Sequence, residues 1–98
     1  MKLFVTAVAE LDLEEISNYI ASDNPVAAIR FLDLLAERFN LLAEMPGIGR
    51  QREKFGEGVR SIAEGDYVIV YRTKEDRVEI LRVLHGARDP ERFIDQQD

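Results

Sequence analysis

The sequence predicts a two-layer α+β fold, in which a helical hairpin packs on one face of a largely antiparallel sheet with the order β-α-α-β-β-β. Two long segments in the first half carry apolar residues at three- and four-residue intervals, which is typical of amphipathic helices. Three β-branched runs separated by short turns fill the second half and predict a strand meander. With 98 residues, we expect a single domain spanning 1–98.

The first strand and the first helix follow from residues 2–22. The run 2–5 is apolar enough for a short strand, and Thr6 is placed to cap the next helix. That helix is predicted from about Ala7 to Ser22, because apolar and acidic residues separate onto different faces. The residues of its apolar face are Ala9, Leu13, Ile16 and Ile20.

The second helix is predicted from Pro25 to about Glu44. Asn24 is the expected N-cap, and Pro25 suits the first helical position, where its missing N–H costs nothing. The apolar stripe is wider than one contact with a sheet requires, so this helix should have two neighbours. The stripe comprises Ala28, Leu32, Leu35, Phe39 and Leu42, widened by Phe31, Leu34 and Leu41.

The second half begins with a loop that opens at Pro46, which cannot continue a helix. We expect this loop to reach Arg60 and to carry the locally basic stretch of the protein. Strands are then predicted at 59–63, 67–73 and 78–84, joined by turns around residues 64–66 and 74–77.

Two of the predicted strands carry apolar residues at both odd and even positions. A strand with one solvent-exposed face should instead alternate between apolar and polar residues. The helices cover one face of the sheet, and no predicted element covers the other. The face without cover is assigned Val68, Val70, Leu81 and Val83, opposite in parity to Ile69, Ile80 and Leu84. The sequence therefore predicts exposed apolar sheet and a partner that covers it.

The charge of the chain is unevenly distributed. The net charge is −6, of which −5 lies in residues 1–44 and −1 in residues 45–98. An acidic field opposes phosphate binding, so direct nucleic-acid binding is disfavoured. No apolar run approaches the roughly 20 residues of a membrane span, and no signal-peptide pattern is present, so we expect a cytoplasmic protein without membrane contact.

The residues present do not support most kinds of catalytic, metal or cofactor site. One histidine and no cysteine leave only scattered carboxylates, so we expect no metal and no cofactor. The serines lack a nucleophile-elbow pattern, and the glycines near Pro46 follow a helix instead of a strand, which excludes a phosphate-binding loop.

What remains is a group of arginines in and beside the strands, with His85 at the end of the last one. One interpretation is a metal-free ribonuclease, in which arginines stabilise phosphorane charge and a histidine moves a proton. The other is that the arginines pair with Asp66, Glu79, Asp89 or a partner, and that His85 is hydrogen-bonded at a strand end. The arginines concerned are Arg60, Arg72, Arg82 and Arg88.

These residues carry a resemblance to a known family. The motifs are Asp12-Leu13 in the first helix, Pro46 to Arg50 in the loop, Val59-Arg60-Ser61, and the run from Ile80 to Asp89 that contains Arg82, His85, Gly86 and Arg88. In this order they resemble the toxins of the RelE/ParE superfamily, most closely the ParE branch. The resemblance covers nearly the whole chain and implies a β-α-α-β-β-β toxin of a type II toxin-antitoxin system.

The resemblance implies a cognate antitoxin, whose C-terminal segment folds on the toxin, and a higher-order complex of the two. For the ParE branch it implies DNA gyrase as the target, inhibited by binding, with no catalytic residue favoured. The candidate antitoxin contacts are Val68, Val70, Leu81, Val83, Phe31 and Leu34. The candidate target contacts are Arg50, Arg52, Arg60, Arg82 and Arg88.

Two alternatives stay open. A RelE-like, ribosome-dependent mRNA endonuclease would use Arg60, His85 and Arg88, whose types and positions resemble nuclease members of the superfamily. Phe93 stands near the position of the tyrosine in that branch, and phenylalanine cannot transfer a proton. A degenerate toxin that acts only as an antitoxin-binding module is the other alternative.

Overall fold

The computed structural model of the protein describes residues 1–86, which fold as two helices on a five-stranded, mostly antiparallel sheet. This confirms the predicted α+β class. In chain order the elements are β1 (Lys2–Val5), α1 (Ala7–Ala21), α2 (Pro25–Glu44), β2 (Arg50–Gln51), β3 (Val59–Glu64), β4 (Tyr67–Lys74) and β5 (Arg77–His85), with 3-10 turns at Pro46–Ile48 and Glu53–Phe55.

The sheet has the strand order β1-β5-β4-β3-β2. β1 pairs with β5 in parallel, and the other neighbours are antiparallel. The chain therefore crosses from one edge of the sheet to the other through the helical hairpin. Among residues 1–86, neither helix has the length and apolar content of a bilayer-spanning segment.

Both helices begin at the predicted caps. The Thr6 side-chain oxygen accepts a hydrogen bond from the Ala9 N–H, and the Asn24 side-chain oxygen accepts one from the Ala27 N–H, both at 3.1 Å. Each bond satisfies a backbone donor that has no partner within the helix. The Thr6 hydroxyl also donates to the Leu81 carbonyl at 3.2 Å, which ties the start of α1 to β5.

The predicted loop from Pro46 to Arg60 contains a short strand that the sequence did not predict. Arg50 and Gln51 form β2, paired with Ser61 and Arg60 of β3. A two-residue strand is too short to show alternation, and its charged, exposed residues are typical of a sheet edge. The sheet consequently has five strands, one more than the sequence predicts.

A bulge in β5 overturns part of the predicted division of the sheet faces. Tyr71 is opposite Ile80 and Val70 is opposite Arg82, so Leu81 is an extra residue in β5. Alternation shifts by one residue across such a bulge. Val83 therefore joins Ile80 beneath the helices, whereas Leu84 joins Val70 on the other face. The assignment of Val83 to the uncovered face was wrong.

The face of the sheet away from the helices is not open. Val59, Val70 and Leu84 are 3%, 0% and 2% exposed there and form a second apolar cluster. Phe55, from the 3-10 turn after β2, packs against this cluster together with Val68 and Leu81. The expectation that this face exposes apolar sheet was wrong, because the second cluster is closed within the chain.

The main core lies between the helices and the sheet. Each helix contributes apolar residues from one face, and β4 and β5 contribute the residues that point toward them. Burial of these side chains is the largest favourable contribution to the stability of the domain. The buried members are Ala9, Leu35, Phe39, Leu42, Ile69, Tyr71, Val78, Ile80 and Val83.

Candidate functional site

Arg82 lies in the interior and forms a bidentate ion pair with Asp12 of α1. Its Nε donates to Asp12 Oδ2 at 2.7 Å and its Nη2 donates to Oδ1 at 2.9 Å. The Val83 N–H donates to the same Oδ2 at 3.0 Å. Because Arg82 is only 8% exposed, its predicted contact with a cellular target does not fit the structure. Its role is to join α1 to β5 beside the bulge.

Arg72 is also paired within the protein, as the ion-pair interpretation predicts. Its Nε donates to Glu79 Oε1 at 2.7 Å, and Arg77 Nη2 lies 2.6 Å from the other carboxylate oxygen. The hydrogen bond from Arg72, aided by the charges of both arginines and opposed by burial, lowers the pKa of Glu79. The guanidinium of Arg77 also lies 5.0 Å from the Phe4 ring centroid.

Arg60 holds the loop that begins at Pro46. Its Nη1 donates to the carbonyl oxygens of Gly49 at 2.8 Å and Gly47 at 3.3 Å. The Tyr71 hydroxyl accepts from the Gly49 N–H at 2.8 Å and donates to the Pro46 carbonyl at 2.7 Å. The loop is therefore fixed to the sheet by two side chains, one of which was a candidate target contact.

Tyr71 was not singled out by the sequence, although it is the centre of this loop contact. Burial raises the pKa of its hydroxyl, against the opposing effects of the Gly49 N–H and the Arg60 charge. The hydroxyl therefore keeps the proton that it donates to Pro46. A tyrosine amid otherwise apolar strand residues was the available signal, since a buried phenol needs a hydrogen-bond partner.

The predicted basic stretch forms a compact surface at the β2 edge of the sheet. Arg50 is exposed, and Arg52 lies 5.2 Å from the Phe55 ring centroid, which orients its guanidinium. A cavity of about 360 Å³ is lined by Arg50, Gln51, Arg52, Glu53 and Lys54. The structure therefore brings Arg50 and Arg52 together, and we call the surface formed by these five residues the basic edge.

His85 is exposed at the end of β5, away from Arg60. His85 is opposite Tyr67 in β4, whereas Arg60 is opposite Tyr71, four residues further along the same strand. Four strand residues span about 13 Å, and β3 and β5 lie on opposite sides of β4. The structure does not bring these two nuclease candidates together. The third, Arg88, lies outside the described residues, as does Phe93.

A groove lies next to His85. Its volume is about 440 Å³. The Tyr67 ring is edge-on to His85 at 5.4 Å between centroids and contacts Phe31 at 5.0 Å. The sequence did not predict this groove, because its residues come from α1, β4 and β5. We call it the α1 groove; it is lined by Asp12, Glu15, Ile16, Tyr19, Tyr67, Val83, Leu84 and His85.

The candidate antitoxin contacts differ in accessibility. Val70 and Val83 are 0% and 1% exposed, so neither can contact a partner without rearrangement of the core. Val68, Leu81 and Phe31 are half-buried, and Leu34 is exposed. Other exposed apolar residues cluster on the helices: Val8, Leu11 and Tyr19 on α1, and Val26, Ile29 and Leu32 on α2.

Metal-ligand residues do not converge in the described part of the chain. Within residues 1–86, no three histidine, aspartate or glutamate side chains are grouped so that they could hold an ion.

The family model described as the ParE toxin of type II toxin-antitoxin system, parDE, matches residues 3–90. Toxin ParE1 of Caulobacter vibrioides is 37% identical over 80 residues, covering 81% of this chain and 82% of that protein. Toxin RelE3 of the same organism is 32% identical over 79 residues, covering 80% and 86%.

A solved structure has the same fold. A chain from the chromosomal ParDE system of P. aeruginosa superposes with a TM-score of 0.75 at 24% identity, covering 87% of this chain and 95% of that one. The predicted resemblance is thereby confirmed. The chain belongs to the ParE toxin family of type II toxin-antitoxin systems.

Proposed function

We propose that this toxin inhibits DNA gyrase by binding to it, and that a cognate antitoxin neutralises the toxin. Gyrase is the target that the resemblance to the ParE branch implies, and membership of the ParE family supports this choice. The toxin thus acts as a ligand of its target instead of as an enzyme.

The observation that carries the proposal is the engagement of the arginines in contacts within the protein. Arg82 pairs with Asp12, Arg72 pairs with Glu79, and Arg60 binds loop carbonyls. A ribonuclease needs arginines that converge on a scissile phosphate beside a proton-transferring group. Within residues 1–86, Arg60 and His85 do not converge, so the geometry favours binding over cleavage.

The basic edge is the surface that we assign to the target. Arg50 lies in β2, and the N–H of Arg52, just after β2, donates to the Val59 carbonyl at 2.8 Å, so the backbone at both arginines is fixed to the sheet. Arg60 helps to hold this region in place, because its guanidinium donates to a carbonyl of the loop that leads into β2. Because the backbone of this surface is already ordered, binding would order only the arginine side chains, which lowers the entropic cost of association.

We propose that the antitoxin binds the outer surface of the helical hairpin, and not the sheet face that the sequence predicts. Val70 and Val83 are buried, whereas several large apolar residues of the helices are 41–79% exposed. Exposed apolar side chains in such number are typical of a surface that a partner covers. Leu34 and the half-buried Phe31, both predicted from the sequence as antitoxin contacts, are part of this surface.

Gyrase supercoiling assays with purified toxin test the proposal. We expect loss of supercoiling at toxin concentrations near those of gyrase, and recovery when the antitoxin is added. Arg50→Ala combined with Arg52→Ala should weaken inhibition by at least roughly tenfold, the loss expected for two charged contacts. Arg30→Ala, which removes an exposed arginine on α2, is the matched control. Undiminished supercoiling at a large excess of folded toxin would exclude gyrase as the target.

A RelE-like endonuclease is the second candidate, favoured by the likeness to toxin RelE3. It would cut messenger RNA on the ribosome with Arg60, His85 and Arg88. Mapping of message 5′ ends after toxin induction tests it, with His85→Ala as the variant. Codon-specific cuts that disappear in His85→Ala would support this candidate. If expression neither arrests growth nor cuts message, the chain is a degenerate toxin that only binds its antitoxin.

A further inference from the structure

The α1 groove has the chemistry of a site for a cationic side chain. Its volume of about 440 Å³ is within the range of roughly 300–1,000 Å³ typical of ligand pockets. The aromatic rings of Tyr19 and Tyr67 line it, together with the carboxylate of Glu15. A carboxylate beside aromatic rings is an arrangement that binds guanidinium and ammonium groups.

Glu15 supplies a negative charge at this groove that no basic side chain among residues 1–86 pairs with. The neighbouring carboxylate of Asp12 is different, because Arg82 and the Val83 N–H already occupy its oxygens. Helix α1 also contains no lysine or arginine between Ala7 and Ala21. A cation from outside the chain would therefore find one available carboxylate here.

Tyr67 contributes a ring and a neutral hydroxyl. Burial, and then the charge of Asp66, raises the pKa of Tyr67, so its phenol is protonated at neutral pH. Tyr19 also lines the groove and is 79% exposed. A planar guanidinium can stack on such rings while it donates hydrogen bonds to a carboxylate, which a compact ammonium does less well.

The groove continues into an apolar stripe, which indicates a polypeptide ligand. Val8, Leu11, Glu15 and Tyr19 follow each other at intervals of three and four residues, so they share one flank of α1. Val8 and Leu11 are 45% and 59% exposed. A segment lying along this flank would place apolar residues on Val8 and Leu11 and a basic residue in the groove.

We propose that the α1 groove binds an arginine side chain from the toxin-binding segment of the antitoxin. The identity of the partner rests on the proposed function, whereas the preference for arginine rests on the groove itself. Glu15 accepts the guanidinium hydrogen bonds, and Tyr19 and Tyr67 contact its flat surface. The charge of the first 44 residues, −5, adds a field that attracts a basic segment.

Nuclear magnetic resonance titration with a short probe tests the groove. The probe is acetyl-Gly-Arg-Gly-amide, and the control peptide carries citrulline, which has nearly the same shape without the charge. We expect saturable shifts confined to residues of the groove with the arginine peptide and none with the citrulline peptide. Equal shifts with both peptides, or shifts spread over the acidic face of α1, would overturn the proposal.

Variants separate the groove from general electrostatic attraction. Glu15→Gln should weaken binding of the arginine peptide by roughly tenfold. Tyr19→Ala should also weaken it and leaves the fold intact, because Tyr19 is 79% exposed. Glu14→Gln removes the same charge from the adjacent position outside the groove and should change affinity less than twofold. Equal effects of Glu15→Gln and Glu14→Gln would contradict a specific site.

Affinity for the antitoxin distinguishes this proposal from the proposed function. We expect Glu15→Gln to weaken the toxin-antitoxin complex by roughly tenfold, with Glu14→Gln unchanged. If the complex forms but is indifferent to Glu15→Gln, the groove assignment fails and antitoxin neutralisation stands. If the arginine peptide binds the groove but no complex with the antitoxin forms, the partner assignment fails.

Discussion

The carboxylate of Asp12 and the guanidinium of Arg82 face each other through two hydrogen bonds of 2.7 and 2.9 Å, although the residues are 70 positions apart. The pair joins α1 to β5 immediately beyond the bulge at Leu81, and the Val83 N–H adds a third bond to Asp12. An arginine that could be taken for a catalytic or target contact is thereby a structural connection between the two layers.

Asp12→Asn should destabilise the protein strongly, because it removes the carboxylate charge that forms two hydrogen bonds with the buried guanidinium of Arg82. The free energy of unfolding should fall by about 3 kcal/mol, as is usual when one partner of a buried pair is removed. Urea denaturation followed by circular dichroism measures the change. Glu14→Gln on the same helix should stay within about 0.5 kcal/mol of the wild type. A similarly small change for Asp12→Asn would show that the pair contributes little.

Gly49→Ala should displace the loop that leads to the basic edge. A Cβ at Gly49 would overlap the Tyr71 hydroxyl oxygen, whereas a Cβ at Gly47 meets nothing within 4 Å. We expect a loss of about 2 kcal/mol in unfolding free energy for Gly49→Ala, typical of overpacking. Gly47→Ala is the matched control and should be close to wild type. Equal stability of the two variants would contradict the close contact.

Glu79→Gln should change how the protein responds to acid. Arg72 and Arg77 hold the pKa of Glu79 below its ordinary value, so its contribution to stability is fully present above the unfolded pKa of about 4.3. That contribution is lost as the pH falls through the lower, folded pKa. At pH 7 Glu79→Gln should cost about 1.5 kcal/mol, since both arginines are partly exposed.

The difference between wild type and Glu79→Gln should therefore shrink as the pH is lowered from 7 through 4 toward 2.5. Denaturant unfolding at each pH measures it, and Glu57→Gln, which changes an exposed loop carboxylate, is the control. A difference that grows on acidification would mean that the folded state raises the pKa of Glu79 instead of lowering it.

Ile29→Asp should weaken the complex with the antitoxin and leave the toxin folded, because Ile29 is 61% exposed. We expect at least a tenfold loss of affinity by calorimetry if this flank of α2 lies in the interface. Glu10→Ala, an exposed change on α1, should have little effect. Val83→Asp is unsuitable for this test, since Val83 is 1% exposed and the variant should unfold. Unchanged affinity of Ile29→Asp would remove this flank from the proposed surface.

The parts of the fold that depend on local chemistry were predictable from the sequence. Thr6 and Asn24 cap the helices as predicted, because the signal for a cap lies within four residues of the helix start. The bulge at Leu81 was not predictable, since an extra strand residue is defined by its pairing with β4. Because of this one extra residue, Val83 and Leu84 each lie on the face of the sheet opposite to the predicted one.

The candidate site was predicted less well, because its decisive contacts are long-range. The basic stretch with Arg50 and Arg52 was found from its charge alone. The partner of Arg82 is Asp12, whose acidic position on α1 resembled an ordinary solvated helix face. Tyr19 and Tyr67 are far apart in the sequence, and the fold alone brings them to one groove.

Pulse labelling of DNA and protein synthesis after induction of the toxin, without its antitoxin, tests the central claim most directly. A toxin that acts on gyrase should reduce thymidine incorporation and cause filamentation with DNA damage, while leucine incorporation continues at first. Cells with a toxin-resistant gyrase should escape both effects. An immediate stop of leucine incorporation, with DNA synthesis and gyrase unaffected, would contradict the account and favour the ribosome as the target.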